Sequence, residues 1–165
     1  MADCDPTNAS QELASRLAAL DATAQELNQA SNSINATLNA IEKVLGGINV
    51  GLEIWLSAPL TRTDAEGSMT TDSVWIEQRL GYARINGKWC LAVKRLRFHS
   101  GFFEGDRSCP FQNEFRDGPE IPLAQASREA RIEALGMLSE LVALLDSAAK
   151  AKLAKIKESE SLLIQ

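Results

Sequence analysis

The sequence predicts an α+β fold: two long helices in an antiparallel coiled-coil-like hairpin, with a small antiparallel sheet of three to four strands inserted between them. Three observations predict it: a heptad seam near the start, an Asn-Gly hairpin signal in the middle, and a second helical stripe near the end. With 165 residues we expect a single domain. Its predicted segments are a helix at 6–46, a β-meander at 48–99, a packed loop at 100–122 and a helix at 123–164.

The first helix is predicted from apolar or small residues that recur with 4-3 spacing. This seam consists of Leu13, Leu17, Leu20, Ala24, Leu27, Ser31, Ile34, Leu38, Ile41, Leu45 and Ile48. A seam of this kind needs another helix to cover it. Pro6 or Ser10 would begin the helix, and Gly46-Gly47 would end it. Residues 28–39 carry no charge, which indicates either a second subunit on that face or a drift in composition.

The middle of the chain is predicted to be β-structure. Residues 50–56 alternate between apolar and other side chains up to a stop at Pro59, and a polar loop follows at 60–73. Asn86-Gly87 is typical of a type I′ turn, so Val74–Ile85 and Lys88–His99 should form a hairpin. The turn fixes the register, in which Ile85 opposes Lys88 and Trp75 opposes Phe98.

The last third of the chain is predicted to be a packed loop and a helix. Four phenylalanines lie between residues 100 and 122, so we expect this glycine- and proline-containing segment to pack as a loop rather than to be disordered. Pro119 and Pro122 precede the second helix, as proline usually does. Its apolar stripe is Ile132, Leu135, Leu138, Val142, Leu145, Ala149, Leu153, Ile156 and Leu163.

Composition excludes some classes of protein. The net charge of −5 disfavours general affinity for nucleic acid. No stretch is long and apolar enough for a membrane span, and the polar, acidic N-terminal residues do not resemble a signal peptide, so we expect a cytoplasmic protein. An odd number of cysteines without a CxxC pair is typical of free thiols.

The candidate ligand site is a run of positive charge on the predicted hairpin. Between residues 79 and 97 there are six Arg or Lys side chains and no acid. In the predicted register an aromatic pair, Tyr82 and Trp89, shares a face with Arg84, which would suit a stacked base and a bound phosphate. The predicted ligand-binding residues are Arg79, Tyr82, Arg84, Trp89, Lys94, Arg95 and Arg97.

These observations favour a non-catalytic, oligomeric binding protein that captures an anionic, nucleotide-like small molecule as a sensor or a sequestering sponge. The structural alternative is a solvated sheet face whose cations pair with Glu53, Glu104, Glu114 or Asp117. A protein–protein adaptor or structural module acting through the helices is a second function. A small enzyme using Cys109 with His99, or the acids of the 60–73 loop, is a third, but nothing orients the Cys109–His99 pair. We predict no catalytic residue, metal or cofactor, and a homo-oligomer, foremost a dimer.

Overall fold

The computed structural model describes the backbone of residues 6–64, 73–103 and 106–163, and the side chains of 10–64, 73–102 and 109–160. The chain is α+β, as the sequence predicts. Two helices enclose, in chain order, a five-stranded antiparallel sheet with strand order β1-β2-β3-β4, in which β5 also pairs with β3. The elements are α1 (Pro6–Ile48), β1 (Ile54–Asp64), β2 (Ser73–Ile85), β3 (Lys88–Phe103), β4 (Asp106–Arg116), β5 (Ile121–Pro122), a 3₁₀ turn (Leu123–Gln125) and α2 (Arg128–Leu163).

The β2–β3 hairpin has the predicted register. Ile85 opposes Lys88, and the pairing continues without a shift to Ser73 opposite Ser100. Asn86 and Gly87 have φ values of 50° and 82°, the positive angles that a type I′ turn requires. The turn residues therefore determine which side chains share a face over the whole length of the hairpin.

The two edge strands differ from the sequence prediction. β1 begins at Ile54 and continues through Pro59, where the register with β2 shifts, so Pro59 does not end the strand. The predicted packed loop at 100–122 is wrong, because most of it forms the end of β3, strand β4 and strand β5. β1 and β4 lie at opposite edges of the sheet. An edge position tolerates proline, which explains why Pro59 and Pro110 do not interrupt the strands. Residues 65–72 of the predicted polar loop lie outside the described residues.

One face of the sheet, which we call the helix face, packs against both helices. Leu80 and Tyr82 of β2 and Leu91 and Val93 of β3 are buried there. The helices contribute a set of small and medium side chains to the same core: Leu38, Leu45, Ala130, Ala134, Leu138, Leu141 and Leu145. On the opposite face, the open face, Trp75, Leu96 and Phe98 form a second, smaller buried cluster.

The helix boundaries follow capping chemistry. α1 passes through Gly46-Gly47 and ends at Ile48, because the left-handed residue Asn49 (φ 48°) donates its amide to the Leu45 carbonyl at 3.2 Å. α2 begins at Arg128, one residue after Ser127, whose Oγ accepts a hydrogen bond from the Ala130 amide at 3.2 Å.

The predicted antiparallel hairpin of helices is wrong, because α1 and α2 run in parallel: successive residues of α1 contact successive residues of α2. Arg128 donates to Asn28 and Arg131 donates to Asn35, while Val142 lines a groove with the last turns of α1. The first turns of α2 therefore lie beside the middle of α1, and a later turn of α2 lies beside the end of α1.

A coiled-coil seam along the full length of α1 is likewise not formed within the described part of the chain. The second half of the seam is used: Ser31, Leu38 and Leu45 are buried and Ile34 and Ile41 are half-buried. The first half is not covered, because every residue from Ser10 to Ala30 is exposed. We call residues 10–27, roughly 27 Å of helix, the projecting segment of α1.

Candidate functional site

The predicted ligand-binding residues divide between the two faces of the sheet. Side chains alternate along a strand, and the register of the hairpin determines where each one goes. Arg79 and Lys94 lie opposite each other on the open face. The other five belong to the helix face: Tyr82, Arg84, Trp89, Arg95 and Arg97. The seven residues therefore do not form one contiguous site.

The predicted stacking pair forms, but within the core. The rings of Tyr82 and Trp89 stack with centroids 5.6 Å apart and planes at 18°. Tyr82 is only 1% exposed and belongs to the cluster beneath the helices, where Trp89 packs against it. Burial, reinforced by the negative charge of Glu42, raises the pKa of Tyr82 above its ordinary value. Arg84 is exposed and donates from Nε to the Gly87 carbonyl at 3.2 Å, so it supports the turn.

On the open face, the like charges of Arg79 and Lys94 each have a compensating neighbour. Arg79 forms a short ion pair from Nη2 to Glu77 Oε2 at 2.9 Å. Glu77 is itself buried and accepts a further hydrogen bond from Trp75 Nε1 at 3.0 Å. Lys94 Nζ lies 4.8 Å from the centroid of the Trp55 ring. Burial, and then repulsion from Arg79, lowers the pKa of Lys94.

A second part of the open face also has cations over aromatic rings. Trp75 and Phe98 stack with centroids 5.2 Å apart and planes 8° apart. The guanidinium carbon of Arg62 lies 4.4 Å from the Trp75 ring, and that of Arg79 lies 5.3 Å from the Phe98 ring. Long cationic side chains thus shield an aromatic surface that has no helix over it. Sequence reasoning missed Trp55, Arg62 and Glu77, because only the β1–β2 pairing brings Trp55 and Arg62 to this face.

Arg95 and Arg97 form an exposed part of the predicted site. Both guanidinium groups share one carboxylate: Arg95 Nη2 lies 3.0 Å from Asp117 Oδ2, and Arg97 Nη2 lies 3.7 Å from Asp117 Oδ1. The Asp117 amide donates to the Arg95 carbonyl at 2.9 Å, which holds the carboxylate beside the two cations. Phe115 opposes Arg97 on β4 and is 54% exposed. This group combines a surplus positive charge with an accessible aromatic ring.

A regular row of exposed apolar side chains lies on the projecting segment of α1. Leu13, Leu17, Leu20 and Leu27 are 59, 55, 64 and 50% exposed. They occupy the first half of the seam whose second half is buried in the core. Monomeric soluble proteins rarely expose apolar side chains in so regular a row, and such rows mark interaction surfaces.

A metal site, the Cys109–His99 pair and a membrane-spanning helix each place requirements on the described residues. Across the described ranges, no three His, Cys, Asp or Glu side chains are placed to hold a metal ion together. Cys109 is an exposed free thiol on β4, and His99 lies on β3 with its ring edge-on to Phe111 at 5.1 Å. Neither α1 nor α2, as far as they are described, has an apolar stretch sufficient to cross a bilayer.

The chain matches no protein-family model, no curated protein and no solved structure.

Proposed function

We propose that this protein is a non-catalytic assembly module, in which an α+β body presents the projecting segment of α1 to another helix. The observation that carries the proposal is the row of four leucines in 4-3 spacing, each at least half exposed, on a helix that continues directly into the core. This is the adaptor or structural alternative among the functions that the sequence suggested.

Energetics support this choice. In proteins most of the stability of a helix comes from tertiary packing of its apolar face, and the projecting segment has no such packing against the described residues. The charges on the segment do little to offset this. Its ion pair, Arg16 Nη2 to Glu12 Oε1 at 2.6 Å, joins two side chains that are mostly exposed, and pairs of this type contribute only about 0.3–0.5 kcal/mol. A helix laid on the leucine row would provide the missing burial.

The test compares two substitutions that add the same charge to the same helix. Leu20→Glu places a carboxylate in the leucine row, whereas Ala22→Glu places it two residues away, on the side of the helix that faces away from the leucine row. We expect wild type and Ala22→Glu to associate in size-exclusion chromatography with light scattering, and Leu20→Glu to be a folded monomer. Hydrogen exchange at residues 10–27 should be slow in the first two and fast in the third. Rapid exchange in all three, without association, would exclude the proposed function.

A second candidate function is the capture of an anionic small molecule, such as a nucleotide, at Arg95 and Arg97. The two guanidinium groups on one carboxylate, beside exposed Phe115, favour it specifically. Phosphate-bearing ligands suit such a group because guanidinium can donate two parallel hydrogen bonds. Titration with adenosine monophosphate and with inorganic phosphate tests it. Binding should be lost in Arg95→Glu and Arg97→Glu and retained in Lys88→Glu, which changes an exposed cation near the turn.

A further inference from the structure

We infer that the helix bound by the projecting segment of α1 is the same segment of a second copy of this chain, running antiparallel, with Leu17 opposite the partner's Leu20. The inference rests on the proposed function and names its partner. The interface would be isologous, so each protomer contributes the same leucine row. The two α+β bodies would lie at opposite ends of a two-helix stalk.

The residues of the seam determine which properties a partner helix must have. In heptad terms Leu13, Leu20 and Leu27 are d positions, and Leu17 and Ala24 are a positions. The flanking e and g positions decide the orientation of a pair, and here they hold one cation and one anion, Arg16 and Asp21. A partner therefore needs a short leucine row with few charges beside it, which the segment itself provides.

The protein's own α2 excludes a parallel pair. Past the projecting segment, the same seam continues through Ser31 to Leu45 and is covered by α2 and the sheet. α2 begins beside Asn28, where Arg128 Nη2 donates to Asn28 Oδ1 at 3.0 Å. A parallel partner helix would continue along the seam into the volume that α2 fills. An antiparallel partner helix extends in the other direction, past Leu13 and away from the body.

Burial then selects one register. In an antiparallel pair a positions oppose d positions, so Leu17 can face the partner's Leu20, Leu27 or Leu13. The third choice would set Leu20 against the partner's Ser10 and bury fewer leucines. The second choice would place Leu13 against the partner's Ser31, which is only 8% exposed beneath its own chain. It would also bring Asp21 close to the partner's Asp21. The first choice sets Leu13 against the partner's Ala24 and places no like charges side by side.

Disulfide trapping in the full-length protein tests the orientation and the register together. Leu13→Cys and Ala24→Cys are made separately in a background of Cys4→Ser and Cys109→Ser, in which Cys90 remains because it is buried. In a homodimer of either variant, the inferred register separates the two introduced thiols by roughly 16 Å along the helices. Neither variant should therefore form a disulfide with a second copy of itself. A one-to-one mixture brings position 13 against position 24 and should give a covalent dimer. Ala22→Cys mixed with Leu13→Cys is the matched control and should remain uncrosslinked.

The outcomes separate this inference from the proposed function. Self-crosslinking of Leu13→Cys alone and of Ala24→Cys alone would show a parallel pair and overturn the inference, while helix-mediated assembly would stand. A dimer that Leu20→Glu disrupts, but that the mixed pair does not trap, would overturn the register and leave the assembly function. A protein that stays monomeric at every concentration, with rapid exchange at residues 10–27, would overturn both.

Discussion

The indole ring of Trp55 lies directly over Gly81, its antiparallel neighbour on β2. A Cβ added at Gly81 would overlap the ring and lie 2.6 Å from the Ile54 carbonyl oxygen. Lys94 Nζ also lies 4.8 Å from the centroid of the Trp55 ring. The missing side chain at position 81 is therefore what allows β1 to bring Trp55 down onto the open face.

We expect Gly81→Ala to destabilise the fold by roughly 1–3 kcal/mol, because the added methyl group must displace Trp55 or separate β1 from β2. The matched substitution is Gly46→Ala, where a Cβ meets nothing within 4 Å. Since Gly46 lies within α1, that change should stabilise the protein by up to about 1 kcal/mol. Urea unfolding followed by circular dichroism measures both. Equal effects of the two substitutions would contradict the close Trp55–Gly81 contact.

Tyr82→Phe should leave stability at pH 7 unchanged or slightly higher. The Tyr82 hydroxyl is buried and makes no hydrogen bond with the described residues, so phenylalanine removes an unsatisfied polar group while it preserves the stacking with Trp89. Replacing such a group by an apolar one of the same shape costs little. A loss of more than about 1 kcal/mol in urea unfolding would mean that the hydroxyl has a partner.

The same substitution should weaken the pH dependence of stability in alkali. The pKa of Tyr82 is raised in the folded protein, so as the pH rises through the ordinary value, near 10, the unfolded chain loses its proton first. The free energy of unfolding then falls with rising pH. In Tyr82→Phe this contribution is absent, so the variant should lose less stability than wild type between pH 9 and pH 11. Lys94 contributes with the opposite sign to both proteins and cancels in the comparison.

The two described cysteines should differ sharply in reactivity. Burial, followed by the negative charge of Glu42, raises the pKa of Cys90, and the thiolate is the reactive form. Cys109 is exposed on β4. In a Cys4→Ser background at pH 8, Ellman's reagent should modify one thiol rapidly and the second only after denaturant is added. The Cys109→Ser derivative should then show no rapid phase, and a rapid phase that persists would mean that Cys90 is accessible.

The parts of the fold that depend on neighbouring residues could be predicted from the sequence. Asn86-Gly87 determined the hairpin register, and the 4-3 spacing correctly identified α1, because turn angles and helical periodicity are local properties. The end of β3 and strand β4 could not be identified in this way, since Gly101 on β3 and Pro110 on β4 resemble loop residues unless the position of the strands in the sheet is known. The relative direction of the helices depends on contacts between residues about 100 positions apart, such as Arg128 with Asn28, which local sequence patterns do not contain.

For the candidate site, too, only local features could be predicted. The sequence identified the excess of Arg and Lys between residues 79 and 97. The acids that neutralise these charges lie outside that stretch and carry no distinctive local pattern. Glu77 is two residues from Arg79 on the same face of β2, so alternation could have identified it. Asp117 follows β4 and reaches Arg95 only because β4 pairs with β3. Asp117 is one of the four acids that the sequence suggested as partners, but no local pattern distinguishes it from the other three.

Asp117→Asn should strengthen phosphate binding if Arg95 and Arg97 form an anion site. The Asp117 carboxylate lies 3.0 and 3.7 Å from the two guanidinium groups and competes with any incoming anion, whereas an amide of the same shape does not. Because both arginines are about half exposed, the effect is limited to roughly 1 kcal/mol, or about fivefold in affinity. The effect should diminish as salt is added, since exposed charges are screened.

Asp146→Asn, which removes the carboxylate of an exposed ion pair with Lys150 on α2, is the matched control and should leave phosphate affinity unchanged. Phosphate titrations at low ionic strength measure all three proteins. Equal binding by wild type and Asp117→Asn would mean that Arg95 and Arg97 do not form the anion site.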